Sequence, residues 1–301
     1  MIRRDFIKSA SAFAAASALP KESNGFSGTF CFFSKHLASM DWTRLARSVK
    51  QLGFGGIDLT VRPGGHVLPE RAADDLPRAF DAIRAEGLSI PMITTGLTSA
   101  NDPHVKPILA TAGKLGIPYF KPGYYRYAFI DVRSELNKAM SDFRSLAELS
   151  KQHGVQAGFH NHDTYIGAQI WDIAQTIDQL DPKWVGYYFD IRHAVAEGGG
   201  AGWKIALNLA APRIKMIAVK DSYWEKTNKG WGQANCPLGE GMVDWKAYFK
   251  FLRQANFHGP VSLHLEYELS GKNASEIEEK TLAATQKDFE FLKARVQEAY
   301  K

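Results

Sequence analysis

Histidine, aspartate, glutamate and lysine recur in this chain at the ends of short apolar runs, where they can act together. His160-Asn161-His162-Asp163 closes one run. Asp190 closes the next, with Arg192 and His193 just beyond it. Lys220-Asp221 ends a third, and His264 and Glu266 stand two apart in a fourth. Strand residues two apart share a face, so His160 goes with His162, His264 with Glu266 and Ala218 with Lys220. Imidazoles with a carboxylate are good ligands for zinc, manganese, iron or cobalt. A divalent ion held by such groups would polarise a carbonyl or hydroxyl oxygen. His162, His193 and Glu266 are candidate acid/base groups, and Lys220 a candidate for stabilising negative charge on oxygen. Each residue alone has an ordinary structural use: a satisfied histidine, a local Lys220–Asp221 pair, Asp190 as a helix cap. Their joint placement argues for a site, because charged groups inside a core are costly unless paired or ligated.

Earlier run ends are polar too. They carry His36, then Arg62 and His66, then Lys121, Tyr124 and Tyr125. With Trp224, the candidate ligand-contacting residues are His36, Arg62, His66, Lys121, Tyr125 and Trp224.

Elements of alternating type must position these groups. Strands are expected at Thr29–Ser34, Gly56–Val61, Leu88–Thr94, Pro118–Lys121, Gln156–His160, Val185–Ile191, Lys215–Lys220 and Val261–Glu266. Amphipathic helices are expected between them: Trp42–Leu52 after an Asp41 cap, Asp75–Glu86, Asp102–Leu115, Asp131–His153, Ile170–Leu180, around Trp203–Leu209, Asp244–Ala255 and Ala274–Val296. Eight β-then-α units make a parallel sheet. No Gly-x-Gly-x-x-Gly turn follows the first strand, which argues against an open doubly wound sheet. The reading is α/β, a single (β/α)8 TIM barrel over 25–301. Such barrels place their chemistry where strands end.

Bulk properties agree. The chain has 301 residues, 45% hydrophobic and 23% charged, enough for a sizeable core without disulfides. The formal charge is +5, and no basic run suggests a nucleic-acid partner. The two cysteines, Cys31 and Cys236, are as consistent with free thiols as with a bridge. Residues 1–24 read as an export leader: Arg3-Arg4-Asp5-Phe6-Ile7-Lys8 has the twin-arginine form, and an Ala-rich apolar stretch too short to span a bilayer follows. Export to the periplasm is expected, with no further membrane association.

The His160-Asn161-His162 and Asp190-x-x-His193 turns, Val219-Lys220-Asp221, and Pro237-Leu238-Gly239-Glu240-Gly241 followed by Val243-Asp244-Trp245 resemble the sugar isomerase/epimerase branch of the xylose-isomerase-like barrels. Endonuclease IV-type proteins share that superfamily. The resemblance covers most of the chain after the leader. It implies a carbohydrate ligand, proton removal next to a carbonyl, and a metal held by Glu, Asp, His and Glu from the last four strands. His160 stands at the first of these positions, Asp190 at the second, Ala218 at the third and His264 at the fourth, with Glu266 two further on. His193 matches a residue that touches substrate. The metal site is thus altered: it is either rebuilt on His160, Asp190 and His264, or replaced by Lys220, Lys121 and the histidines. The implied function is a sugar isomerase or epimerase. A keto-glycoside lyase or hydratase and a non-catalytic periplasmic sugar-binding protein are the alternatives. The exported location favours unphosphorylated sugars.

Overall fold

The computed structural model describes residues 25–301; the expected leader lies outside the described residues. Eight barrel strands are β1 (Phe30–Phe33), β2 (Gly56–Val61), β3 (Ser89–Thr95), β4 (Tyr119–Lys121), β5 (Gln156–His160), β6 (Val185–Asp190), β7 (Ile214–Val219) and β10 (Val261–Leu263). They close in the order β1-β10-β7-β6-β5-β4-β3-β2, every pair parallel. An antiparallel hairpin of β8 (Asp221–Thr227) and β9 (Gly230–Cys236) stands apart from the barrel. The helices are α1 (Trp42–Gln51), α2 (Ala72–Ala85), α3 (Val105–Lys114), α4 (Val132–Gln152), α5 (Trp171–Asp178), α6 (Ile191–Ala210), α7 (Trp245–Gln254) and α8 (Ala274–Ala299). No helix among the described residues is long and apolar enough to cross a membrane.

Strand alternation divides each strand between two environments. Ile57, Leu59, Ile93, Phe120, Phe159, Tyr187, Phe189, Ile217, Val219, Val261 and Leu263 point outward into one core shared with the helices. The intervening residues fill the barrel. Met92, Tyr188, Met216 and Ala218 pack together low in it. Gly158 lets Met216 through, since a Cβ there would lie 2.2 Å from its terminal carbon. Above them the inner face turns polar: Asp58, Thr94, Lys121, His160, Asp190, Lys220, Ser262 and His264 are all buried.

Three departures from expectation have local causes. The helix expected around Trp203–Leu209 starts twelve residues earlier, at Ile191, where the Asp190 side chain accepts from His193 N at 3.2 Å; Gly199, at φ 56°, breaks it midway. The last strand stops at Leu263, so His264 and Glu266 lie just past its end. The hairpin was not among the expected elements. Its large side chains, Tyr223, Trp224 and Trp231, are exposed rather than packed into the core, and only the Asn228-Lys229-Gly230 turn, with Gly230 at φ 106°, marks it. Cys31 and Cys236 are both buried and unbonded.

Behind the hairpin, Asp288 of α8 accepts from Leu238 N at 3.2 Å and from the Tyr267 hydroxyl at 3.0 Å. Burial nevertheless pushes its pKa up to about 6. A raised folded-state pKa contributes stability at low pH that is lost as pH climbs through about 6. Asp288→Asn, which can keep both contacts, should match the parent at pH 4 and exceed it at pH 7.5 by about 2 kcal/mol. Thermal melts across that range check this.

Candidate active site

The polar ends of β5, β6, β7 and β10 surround one cavity of about 310 Å³ at the C-terminal mouth of the barrel. Phe33, Lys35, Arg62, Tyr124, His162, Asp163, Arg192, His193, Lys220, Asn235, His264 and Glu266 line it. At its base lies the Asp190 carboxylate, fully buried. Its Oδ1 caps α6, and its Oδ2 faces Lys220 Nζ at 3.2 Å, His160 Nε2 at 3.3 Å and His193 Nε2 at 3.6 Å. The helix-cap role open to Asp190 in the sequence is thus filled by Oδ1, and Oδ2 is left facing the cluster. Asn161 fixes the backbone here: it donates to Asp190 O at 2.9 Å and accepts from Asp190 N at 2.8 Å.

Electrostatics follow from burial. Desolvation by itself would raise the Asp190 pKa, but His193, Lys220 and His160 outweigh it and hold the carboxyl well below its ordinary range. Burial pulls His160 well below its usual value and His193 down to about 3. The cluster therefore sets one carboxylate and two neutral imidazoles beside Lys220.

A histidine–aspartate pair and a glutamate flank this cluster. From β5, His162 Nδ1 lies 2.9 Å from Asp163 Oδ1, which also takes His193 Nδ1 at 2.9 Å and is paired with Arg192. The Asp163 carboxyl sits far below its usual range: the His162 and His193 contacts overcome its desolvation. From β10, Glu266 accepts from Lys35 Nζ at 2.8 Å and lies 3.8 Å from His264 Nδ1. It too is held well below its ordinary value, because His264, Lys220 and Lys35 outweigh its desolvation. Strands β6 and β7, bearing Asp190 and Lys220, stand between the two.

Lys220 owes its position to its neighbour. The Asp221 carboxylate accepts from Ser222 N (2.9 Å), Val243 N (3.2 Å), Gly239 N (3.0 Å) and Trp245 Nε1 (2.8 Å). The Leu-Gly-Glu-Gly turn wraps this carboxylate so closely that a Cβ at Gly241 would lie 2.2 Å from Asp221 Oδ1. Asp221→Ala leaves these donors buried without a partner. A loss of about 3 kcal/mol or more is expected, read as a fall in Tm of roughly 6–12 °C.

Not every candidate from the sequence reaches the cavity. His162, His193, Lys220, Glu266, Arg62 and His264 do; His160 lies just beneath. Lys121 is behind Tyr124, its Nζ 3.4 Å from the ring centre and without a hydrogen bond. Four ligand-contact assignments need correcting. His36 accepts from Leu265 N at 3.0 Å and braces the turn below Glu266. His66 donates to Leu37 O at 3.2 Å and ties the β2–α2 loop to the turn after β1. Tyr125 stacks on Phe159 on the helical side. Trp224 stands half-exposed on the hairpin, away from the cavity lining. Loop residues beyond a strand end do not keep the strand's alternation, which is why these misled. Conversely, Phe33, Asp163, Arg192 and Asn235 line the cavity without having been assigned there. Phe33 was foreseeable by alternation on β1; Asn235 was not, because it comes from the hairpin.

The metal ligands also regroup. Among the described residues, His160, Asp190 and His193 bring ligand atoms within 4.8 Å of one another, as do His162, Asp163 and His193. His264 belongs to neither group: its Nε2 contacts the Tyr188 hydroxyl at 3.0 Å and Ser262 Oγ at 3.2 Å, in a network centred on Asp58. Two imidazoles and one carboxylate fit zinc, manganese, iron or cobalt better than an oxygen-preferring ion. His193 Nε2 is buried with no hydrogen-bond partner and is free to ligate. The ammonium of Lys220 must swing off Asp190 Oδ2 to admit such an ion.

Comparison with known proteins bears on the fold. L-ribulose-5-phosphate 3-epimerase UlaE of Shigella flexneri is 22% identical over 245 residues, covering 81% of this chain and 78% of that protein. D-psicose 3-epimerase from Clostridium cellulolyticum H10, solved with D-tagatose, superposes with TM-score 0.68 at 14% identity, over 89% of this chain and 99% of that one. A xylose isomerase-like TIM barrel protein from Mycobacterium smegmatis, in complex with magnesium, superposes with TM-score 0.68 at 15% identity, over 91% and 98%. Residues 46–295 match the family model described as xylose isomerase-like TIM barrel, and the chain belongs to that family.

Proposed function

We propose that this protein is an exported sugar epimerase or isomerase that moves a proton next to a carbonyl. One observation carries the reading: acid/base groups from β5 and β10 flank a buried Asp190–Lys220 pair in a single cavity. Inverting a carbon next to a carbonyl requires taking its proton from one face and returning it to the other, which flanking groups can do. Relatives named as ketose 3-epimerases support this choice.

The sugar packs against the Phe33 and Tyr124 rings. His162, oriented through Nδ1 by Asp163, presents Nε2 on one side. Glu266 presents its carboxylate on the other. Glu266, as its carboxylate, takes the proton from one face, and His162, entering the step with both ring nitrogens protonated, gives its Nε2 proton to the other face. Lys220 donates to the carbonyl oxygen and stabilises the enolate that forms, in a site where its charge is little screened. The His162 and His193 contacts, with Arg192, hold Asp163 ionised and in place; His264, Lys220 and Lys35 do the same for Glu266. His160, Asp190 and His193 would hold a divalent zinc, manganese, cobalt or iron ion, which supplies Lewis-acid polarisation of the same oxygen. The twin-arginine leader implies a periplasmic location, where free sugars and glycosides outnumber sugar phosphates.

Purified protein incubated with a panel of unphosphorylated ketoses, followed by NMR, tests the reading. The expected result is an epimer or aldose isomer forming from at least one of them. Tight ketose binding with no new product from any would instead identify a binding protein.

A further inference from the structure

The cavity does not end at the catalytic groups. A second space of about 670 Å³ opens beside it, between the hairpin and the segment after β10, and the two share Asn235 and Glu266 as a common wall. We propose that this outer space holds a second, uncharged sugar residue, so that the preferred ligand is a ketose carrying a glycosyl group. The inference rests on the proposed sugar epimerase or isomerase function.

Three observations support it. The inner cavity alone is at the small end of ligand pockets, whereas both together accommodate a disaccharide. The outer walls are built for a sugar: the half-exposed Tyr223 ring lies on the hairpin, and Gln233 Oε1 is buried with no partner. The outer walls also carry Glu225, Glu240, Glu266 and Glu268, and no Lys or Arg lines this space. Glu240 is paired with Lys287 and Glu266 with Lys35, both outside it, which leaves Glu225 and Glu268 without an ion-pair partner among the described residues. Such a field repels a phosphate and tolerates a neutral glycosyl group, whose hydroxyls donate to carboxylates. The inner cavity has the opposite character, with Lys35, Arg62, Arg192 and Lys220, which suits the oxygen that becomes negative. Ligand orientation follows: the ketose inward, the glycosyl group outward across Asn235.

Isothermal titration of the protein with D-fructose, D-fructose 6-phosphate and the ketose disaccharides maltulose, lactulose and isomaltulose tests this. At least one disaccharide should bind ten-fold or more tighter than fructose, with the phosphate no tighter than fructose. Tyr223→Ala, at a half-exposed hairpin position outside the inner cavity, should erase the disaccharide advantage and leave fructose binding unchanged. Equal binding of fructose and every disaccharide, strongest binding of the phosphate, equal weakening of both sugars by Tyr223→Ala, or no binding at all would overturn the proposal. Failure of the catalytic reading shows separately, as a retained binding preference without chemical conversion.

Discussion

Lys220→Met is expected to lower kcat by about a thousand-fold while changing KM by less than about five-fold. Lys220 is the group placed to meet negative charge that exists only after proton removal, so its loss falls on the transition state rather than on substrate binding. Removing one such donor from a preorganised site typically costs about 10²–10³ in rate, or about 3–4 kcal/mol of barrier. Lys220→Arg should not rescue. The space between Asp190 and the cavity is shaped for a compact ammonium, and a planar guanidinium has a different reach and hydrogen-bond pattern. Initial-rate kinetics on the best ketose of the panel give the kcat and KM split. A rise in KM with unchanged kcat would mean that Lys220 only holds the ground state.

Asp190→Asn should be costly in a different way. The amide keeps the shape and the helix cap to His193 N, but it no longer offsets the Lys220 charge, which is almost fully buried. Removing one partner of a buried ion pair typically costs about 3–5 kcal/mol. Expected outcomes are a Tm lower by roughly 6–15 °C and a kcat reduced at least a hundred-fold. The decisive comparison is the double variant Asp190→Asn/Lys220→Met. With both charges gone, much of the lost stability should return, while activity stays at the level of Lys220→Met alone. Additive losses of stability would mean that the two residues are not coupled.

Much of this arrangement was legible in the sequence because strand alternation is strict. Tyr187 and Phe189 face out while Tyr188 and Asp190 face in; Ile217 and Val219 face out while Ala218 and Lys220 face in. The same rule placed His160 on the inner side and makes the convergence of β5, β6, β7 and β10 readable before any coordinates. It lapses where strands end. His162 and Glu266 still face the cavity, but His66 and Tyr125, also just beyond strands, are turned away by loop hydrogen bonds and aromatic packing. The Arg192–Asp163 pair was hidden because Asp163 lies in the loop after β5 and Arg192 on the first turn of α6, and nothing local to either names the other. The hairpin was hidden because its large side chains, Tyr223, Trp224 and Trp231, are exposed and follow no two-residue period, yet it supplies Asn235 and the outer wall. The metal trio regrouped around His193 for a related reason. His193 sits three residues into the structure after β6, on the first turn of a helix that the glycine run disguised, and there its ring folds back over Asp190.

Solvent exchange at the substrate tests the proton-transfer assignment most directly. Protein and ketose are incubated in D2O and the carbon next to the carbonyl is followed by NMR. If His162 and Glu266 carry the proton while Lys220 stabilises the enolate, deuterium enters that position, and Lys220→Met slows its entry by about a thousand-fold. A ketose converted by the protein with its original hydrogen fully retained at that carbon would contradict it.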